Sequence, residues 1–233
     1  MKILDLIFPQ TIKCFICKRE LEKFGVCNEC YPRLPWVKGK TCEVCGGGIL
    51  GDGIICDECK NGKYYFKKNF SIFEYTGDIQ KNILSFKNGN KYLGDYFGEF
   101  IRDYIKKNNL NFDIIIPIPI HTNRRKSRGF NQSEVLINSL KDDYTVEDKC
   151  VVRIKDTPHQ TGLNKEHRQI NLKGAFEVVD KDKIKDKVIL LIDDIYTTGS
   201  TLNECARTLK KSGAKMVYGL CLARATFDKL KGD

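Results

Sequence analysis

No stretch of this chain is long and apolar enough to span a bilayer. Its first residues, MKILDLIFP, make a poor signal peptide: they carry one lysine, an aspartate at position 5 and too short an apolar run. Both absences point to a cytoplasmic protein, a compartment in which disulfides are rare. Residues 111–233 contain no internal repeat, and the cysteine pattern is the chain's only one. Lack of bulk is not among the deficits. The 233 residues are 41% hydrophobic and 30% charged, enough for one sizeable domain and a small one, and unlike a disordered chain.

What is abundant is cysteine and positive charge. The formal net charge of +10 suits an anionic partner, and both phosphate-rich small molecules and nucleic acid qualify. Eight of the eleven cysteines fall before residue 63, as four C-x-x-C pairs: Cys14/Cys17, Cys27/Cys30, Cys42/Cys45 and Cys56/Cys59. A two-residue gap lets two thiolates from one tight turn reach the same ion, and two such knuckles complete a tetrahedral site. Eight thiolates would hold two zinc ions, each closed to substrate and therefore structural. A redox C-x-x-C normally occurs once, beside a strand and helix start, so four pairs argue against redox use. Spacing allows interleaved as well as sequential pairing. Only nine or ten residues separate the knuckles of each sequential ribbon, a hairpin's length, which favours 14/17 with 27/30 and 42/45 with 56/59. Gly46, Gly47 and Gly48 suit the close turn of a knuckle. Metal would supply the folding energy of so small a module, and its removal is expected to unfold 14–59 while 111–233 persists. Cys150, Cys205 and Cys221 fall in strand or helix patterns and read as core.

From residue 111 onward, apolar runs alternate with helical patterns. Strands are predicted at 112–120, 150–154, 187–195 and 216–223, and helices at 130–140 and 200–213. Strand–helix alternation implies a parallel sheet covered by helices. The richest segment is VILLIDDIYTTGST, Val188–Thr201. A buried strand ends in Asp193 and Asp194, followed by a short loop and a helix. Thr197, Thr198, Gly199, Ser200 and Thr201 offer hydroxyls and backbone N–H groups at a helix N-terminus, a phosphate cradle. The acids are placed to accept hydrogen bonds from vicinal hydroxyls or to help hold a divalent cation. Capping alone explains one such residue, not two acids and five loop residues. The segment has no Gly-Lys-Ser/Thr and is not a Walker loop. Arg124, Arg125, Lys126 and Arg128 crowd five positions, a cluster that an anion such as pyrophosphate would neutralise and that otherwise reads as a solvated basic turn.

Val188–Thr201 resembles the phosphoribosyl-pyrophosphate (PRPP) signature of type I phosphoribosyltransferases. With the four knuckles, LDLIFP (4–9), PIPIHTNRRKSRGFNQ (117–132) and QTGLNKEHRQINLKGAF (160–176), nearly the whole chain resembles the ComF family of competence proteins. The resemblance implies an α/β fold: a type I phosphoribosyltransferase-like parallel sheet flanked by helices, with a small N-terminal zinc-ribbon module. The ribbons would occupy 1–63 and the transferase-like domain 64–233, with a hood at about 64–110 and a core at 111–233. Asp193 and Asp194 would bind the ribose hydroxyls of PRPP with Mg2+, and Tyr196 to Thr201 the 5-phosphate. The segment after the strand at 112–118 would form the pyrophosphate loop, with His121, Arg124, Arg125, Lys126 and Arg128 nearby. Residues 155–174 would be a mobile closing loop carrying His159, Gln160 and Arg168. One departure matters. Purine-salvage members carry an acid where this chain has Thr197, so a general base for a purine acceptor is lacking.

Two functions compete at this point. The family's association with DNA uptake implies a competence protein that binds PRPP and handles single-stranded DNA, with uptake-machinery proteins as further partners. In that case KYYFKKNF (63–70) could stack bases; its plainer reading is a strand leading into the hood. The alternative is an active phosphoribosyltransferase of nucleotide metabolism with an unidentified acceptor.

Overall fold

The computed structural model describes residues 13–21, 25–49, 51–157 and 171–225. The aliphatic run becomes β5 (Val188–Tyr196), flanked in a four-stranded, all-parallel sheet by β2 (Ile114–Pro117) and β6 (Met216–Arg224), with β1 (Asn69–Glu74) outermost. Parallel strands are buried on both faces, which is why Ile189–Ile192 are uniformly apolar. Period two then divides them. Ile189 and Leu191 join the core with Ile114, Ile116 and Cys205, whereas Leu190 and Ile192 join the opposite core with Ile115, Phe86, Phe97 and Ile101.

The second of these cores is covered by α2 (Gly77–Lys87) and α3 (Leu93–Lys107), following α1, the single turn Asp57–Lys60. The other is covered by α6 (Ser200–Lys211), through the expected face Leu202, Cys205, Ala206 and Leu209, and by the antiparallel pair β3 (Val151–Arg153) and β4 (Phe176–Val178). Cys150, Cys205 and Cys221 are buried there as expected.

Three sequence expectations change in detail. The expected pyrophosphate loop contains a two-turn helix, α4 (Thr122–Arg128), N-capped by His121 Nδ1, which accepts from the Asn123 N–H at 3.2 Å. The helix expected at 130–140 is instead α5 (Gln132–Leu136) followed by a separate 3₁₀ turn at Asn138–Leu140. Residues 64–110, expected as a hood, contribute β1 to the main sheet and two helices to its covering layer.

The cysteine segment wraps the β1 edge. Residues 35–37 run antiparallel to β1, with Val37 N–H donating to Ile72 O (3.0 Å) and Glu74 N–H to Pro35 O (2.7 Å), so the strand's outer hydrogen-bonding groups are covered. Trp36 packs on Phe73 with ring centroids 4.7 Å apart. Phe15, beside Cys14, enters the α2/α3 core against Phe97 and Phe100, whereas Cys42, Cys45 and Cys59 belong to the α6 core. The second four-cysteine cluster is therefore built into one face of the sheet, whereas the first keeps a small cluster of its own that is attached to the other face through Phe15.

Candidate phosphoribosyl site and zinc sites

Pairing is sequential. Cys14, Cys17, Cys27 and Cys30 form one cluster and Cys42, Cys45, Cys56 and Cys59 the other, with all sulfurs of a cluster within 4.8 Å of one another. A tetrahedron with metal–sulfur bonds of about 2.3 Å has sulfur–sulfur edges of about 3.8 Å. The Cys17–Cys27 and Cys45–Cys56 Sγ separations are both 3.7 Å. Backbone N–H groups of Cys27 and Cys56 point at Cys14 Sγ (3.5 Å) and Cys42 Sγ (3.4 Å), as thiolate ligands require. Gly46 takes a left-handed φ of +70° in the third knuckle. Both donor sets fit structural zinc and leave no position open for a substrate.

The second site forms where β2 and β5 leave the sheet side by side. Pro117 pairs with Ile192, and Ile118 N–H donates to Ile192 O at 3.0 Å. The segment leading to α4 and the segment carrying the two acids therefore share one sheet edge, at the carboxyl ends where ligands of open α/β sheets bind.

The acids diverge there. Asp193 Oδ1 accepts from Ser133 Oγ at 3.1 Å and from the Asp194 N–H at 2.9 Å. Burial, reinforced by the Asp194 charge, pushes the Asp193 carboxyl up to about 7. Asp194 pairs instead with Lys87 Nζ at 3.0 Å. Beyond them the chain turns through Thr197–Thr201. Thr198 and Ser200 are buried, their hydroxyls 2.8 Å apart, and Thr198 Oγ1 also accepts from the Ser200 N–H. Thr197 and Thr201 are part-exposed. Gly199 caps the twelve-residue α6 at φ +73°, a left-handed geometry that only glycine adopts without strain. Tyr196, expected with this loop, turns its buried side chain into the α6 core beneath it.

Helical geometry sorts the four cations of α4. Arg124 and Arg128, one turn apart, are the part-buried ones. Arg124 Nη2 donates to Thr157 O at 2.6 Å and Arg128 Nη1 to Gln132 Oε1 at 3.3 Å. Arg125 pairs with Glu134 (2.8 Å) at the surface and Lys126 is exposed. His121 lies 3.5 Å from Asp156. His159, Gln160 and Arg168 lie outside the described residues, although the expected closing loop starts on firm ground where Arg124 holds Thr157.

Two further functional candidates lie outside the sequence motifs. Arg153 occupies the inward parity of β3, stacks over Phe176 (5.6 Å to the ring centroid) and donates to Lys155 O and Thr157 Oγ1. Burial and the neighbouring Arg124 charge push it down to about 10, whereas the Asp193 charge holds it up. A charged residue at the buried parity of a strand is the local signal that could have found it. Lys87, the partner of Asp194, has no local signal. With Asn88, Gly89, Ser127 and Arg128 it lines an open cleft of about 340 Å³ beside the acids.

A parallel sheet with an acid pair, a Thr-Gly loop at a helix start and arginines on the adjacent segment, joined to a double zinc ribbon, is the architecture of a phosphoribosyltransferase-type domain. The Phosphoribosyl transferase domain family matches residues 97–231 and the Double zinc ribbon domain residues 3–60. The chain belongs to the ComF family of competence proteins: it is 30% identical to Competence protein F of Haemophilus influenzae over 226 residues, 92% of this chain and 98% of that one. It is also 25% identical to Competence protein ComFC of Bacillus subtilis, over 86% of this chain and 84% of that one. DNA utilization protein YhgH of Salmonella typhimurium is 25% identical, over 91% and 96%.

Proposed function

We propose that the chain binds PRPP with Mg2+ at the β2/β5 edge and serves DNA uptake in natural transformation, where it handles single-stranded DNA. The observation that carries the PRPP reading is the convergence of Asp193, Asp194, the Thr197–Thr201 loop, Arg124 and Arg153 on one sheet edge. In this reading the acids accept hydrogen bonds from the ribose diol and help hold the cation. The α6 N-terminus takes the 5-phosphate, and Arg124, Arg128 and Arg153 take the pyrophosphate. Thr197 stands where a purine-transferring relative needs an acid, so binding without purine transfer is the economical assignment.

The DNA role draws on the names of the relatives and on the net charge of +10. KYYFKKNF is not its best platform. Phe66 is buried, Tyr64 packs on it at 5.3 Å, and the strand begins only at Asn69. Among the described residues no helix is long and apolar enough to cross a membrane.

Calorimetric titration of PRPP with and without Mg2+ tests the site. Replacing Asp193 and Asp194 together with asparagine is expected to abolish measurable binding with little loss of fold, since hydrogen bonds to charged groups contribute roughly 1.5–3 kcal/mol each. Unchanged affinity in a folded double variant overturns the assignment. Gel shifts with single-stranded DNA should weaken steeply between low and physiological salt. No shift at low salt removes the DNA-handling reading and leaves an active phosphoribosyltransferase with an unidentified acceptor as the alternative.

A further inference from the structure

We propose that the Cys42/Cys45/Cys56/Cys59 zinc site holds the Thr197–Thr201 loop in its binding shape, with Tyr196 and Asn203 as the positioning residues through which it acts. The inference rests on reading that loop as the phosphate cradle, but its structural part can be tested without any ligand.

One route runs beneath the loop. Tyr196 is buried in the same core as Cys42, Cys45 and Cys59, and Tyr64 packs against that core. A methyl group built on Gly199 would meet the Tyr196 hydroxyl and the edge of the ring that carries it, so this side chain forms the floor on which the loop rests. The strand partner of Tyr196 is Arg224, and Ala225 N–H donates to Tyr196 O at 2.9 Å. Arg224 is 4% exposed, lies against Gly47 and pairs at 2.7 Å with Glu58, which stands between the ligands Cys56 and Cys59. Four thiolates around one zinc ion leave a net negative charge in the core, and this buried guanidinium is placed to balance it.

A second route runs beside the loop. Immediately after Cys59 the chain clasps Asn203, in the first turn of α6. Tyr65 N–H donates to Asn203 Oδ1 at 2.7 Å, and Asn203 Nδ2 donates to Lys63 O at 2.9 Å. The Asn203 N–H in turn donates to Gly199 O at 2.8 Å. Floor and flank of the loop are thus both fixed to segments that the metal orders. The Cys14/Cys17/Cys27/Cys30 site offers neither connection, because its neighbour Phe15 packs into the α2/α3 core.

Amide hydrogen exchange on the full chain tests the idea. A Cys56→Ser/Cys59→Ser variant with one zinc remaining is expected to exchange about tenfold faster or more at residues 197–203, and to lose PRPP binding. A Cys14→Ser/Cys17→Ser variant should leave 197–203 unchanged. Equal protection of the loop in both variants overturns the proposal. If the first variant does not fold, Tyr196→Leu and Asn203→Ala in protein holding both zinc ions provide the test. Both should loosen 197–203 while the sheet stays protected, and Tyr196→Phe should restore the loop. Unchanged protection in the Leu and Ala variants likewise overturns it. A loop that loosens as expected in a protein whose wild type binds no PRPP removes the ligand reading and leaves the structural coupling standing.

Discussion

Asp193 is held in a state that disfavours its charge. Burial, and then the Asp194 charge, push its carboxyl up from the ordinary 3.8 to about 7. Between those values the folded protein binds more protons than the unfolded chain, so stability falls as pH rises through that window. Asp193→Asn keeps an acceptor for Ser133 and the Asp194 N–H but removes the charge. The variant should melt higher than wild type at pH 8, by about 2–4 °C for each 1 kcal/mol recovered, with the gain shrinking at pH 4. Thermal melts at both values check this, and an equal shift at both points to packing instead of charge. The acid pair itself was legible from sequence because it follows an aliphatic run. Its surroundings were not. Ser133, Lys87 and Arg153 come to the acids from three separate elements, α5, α2 and β3, whose approach to the end of β5 is a matter of tertiary packing that the sequence around the acids does not encode.

At the scale of elements, β5 and α6 announced themselves through an apolar run and an i, i+3, i+4, i+7 face, signals that need no knowledge of the rest of the fold. The basic segment was harder. Read as a loop, its four cations are equivalent, and only the helical period of α4 turns Arg124 and Arg128 inward and Arg125 and Lys126 outward. The cysteine spacing gave the correct pairing but not the attachment, since Phe15 and Trp36 are isolated aromatics in a turn-rich stretch. That attachment alters the expectation that the ribbons unfold alone. Trp36 is the sole tryptophan and touches Tyr31, Phe73 and Phe100. Its emission therefore reports on the contact between ribbon and sheet. Urea transitions followed by Trp36 fluorescence and by far-UV circular dichroism should coincide, as one cooperative unit requires. A fluorescence transition at clearly lower urea would mean that the ribbon comes away first.

For the whole molecule, the position of β6 sets an order of assembly. It is the last of the described strands along the chain, yet it lies between β1 and β5. Until it docks, β1 has no neighbour within the sheet, and Arg224 cannot reach Glu58. The cysteine knuckles are local in sequence and can capture metal early, whereas the pairing of Asn69 with Gly219 must wait for most of the chain. Pulse-labelled exchange during refolding should find the β1 amides between Asn69 and Glu74, whose own N–H groups bond Val44 O and Pro35 O, gaining protection together with those of β6, after zinc is bound. Protection of β1 ahead of β6 would contradict this. The metal centres can therefore form while the place between β1 and β5 is still empty, so capture of zinc and completion of the sheet are separable events. The last described strand to be made is thus the one that joins the ribbon-bearing edge of the molecule to the rest of its sheet.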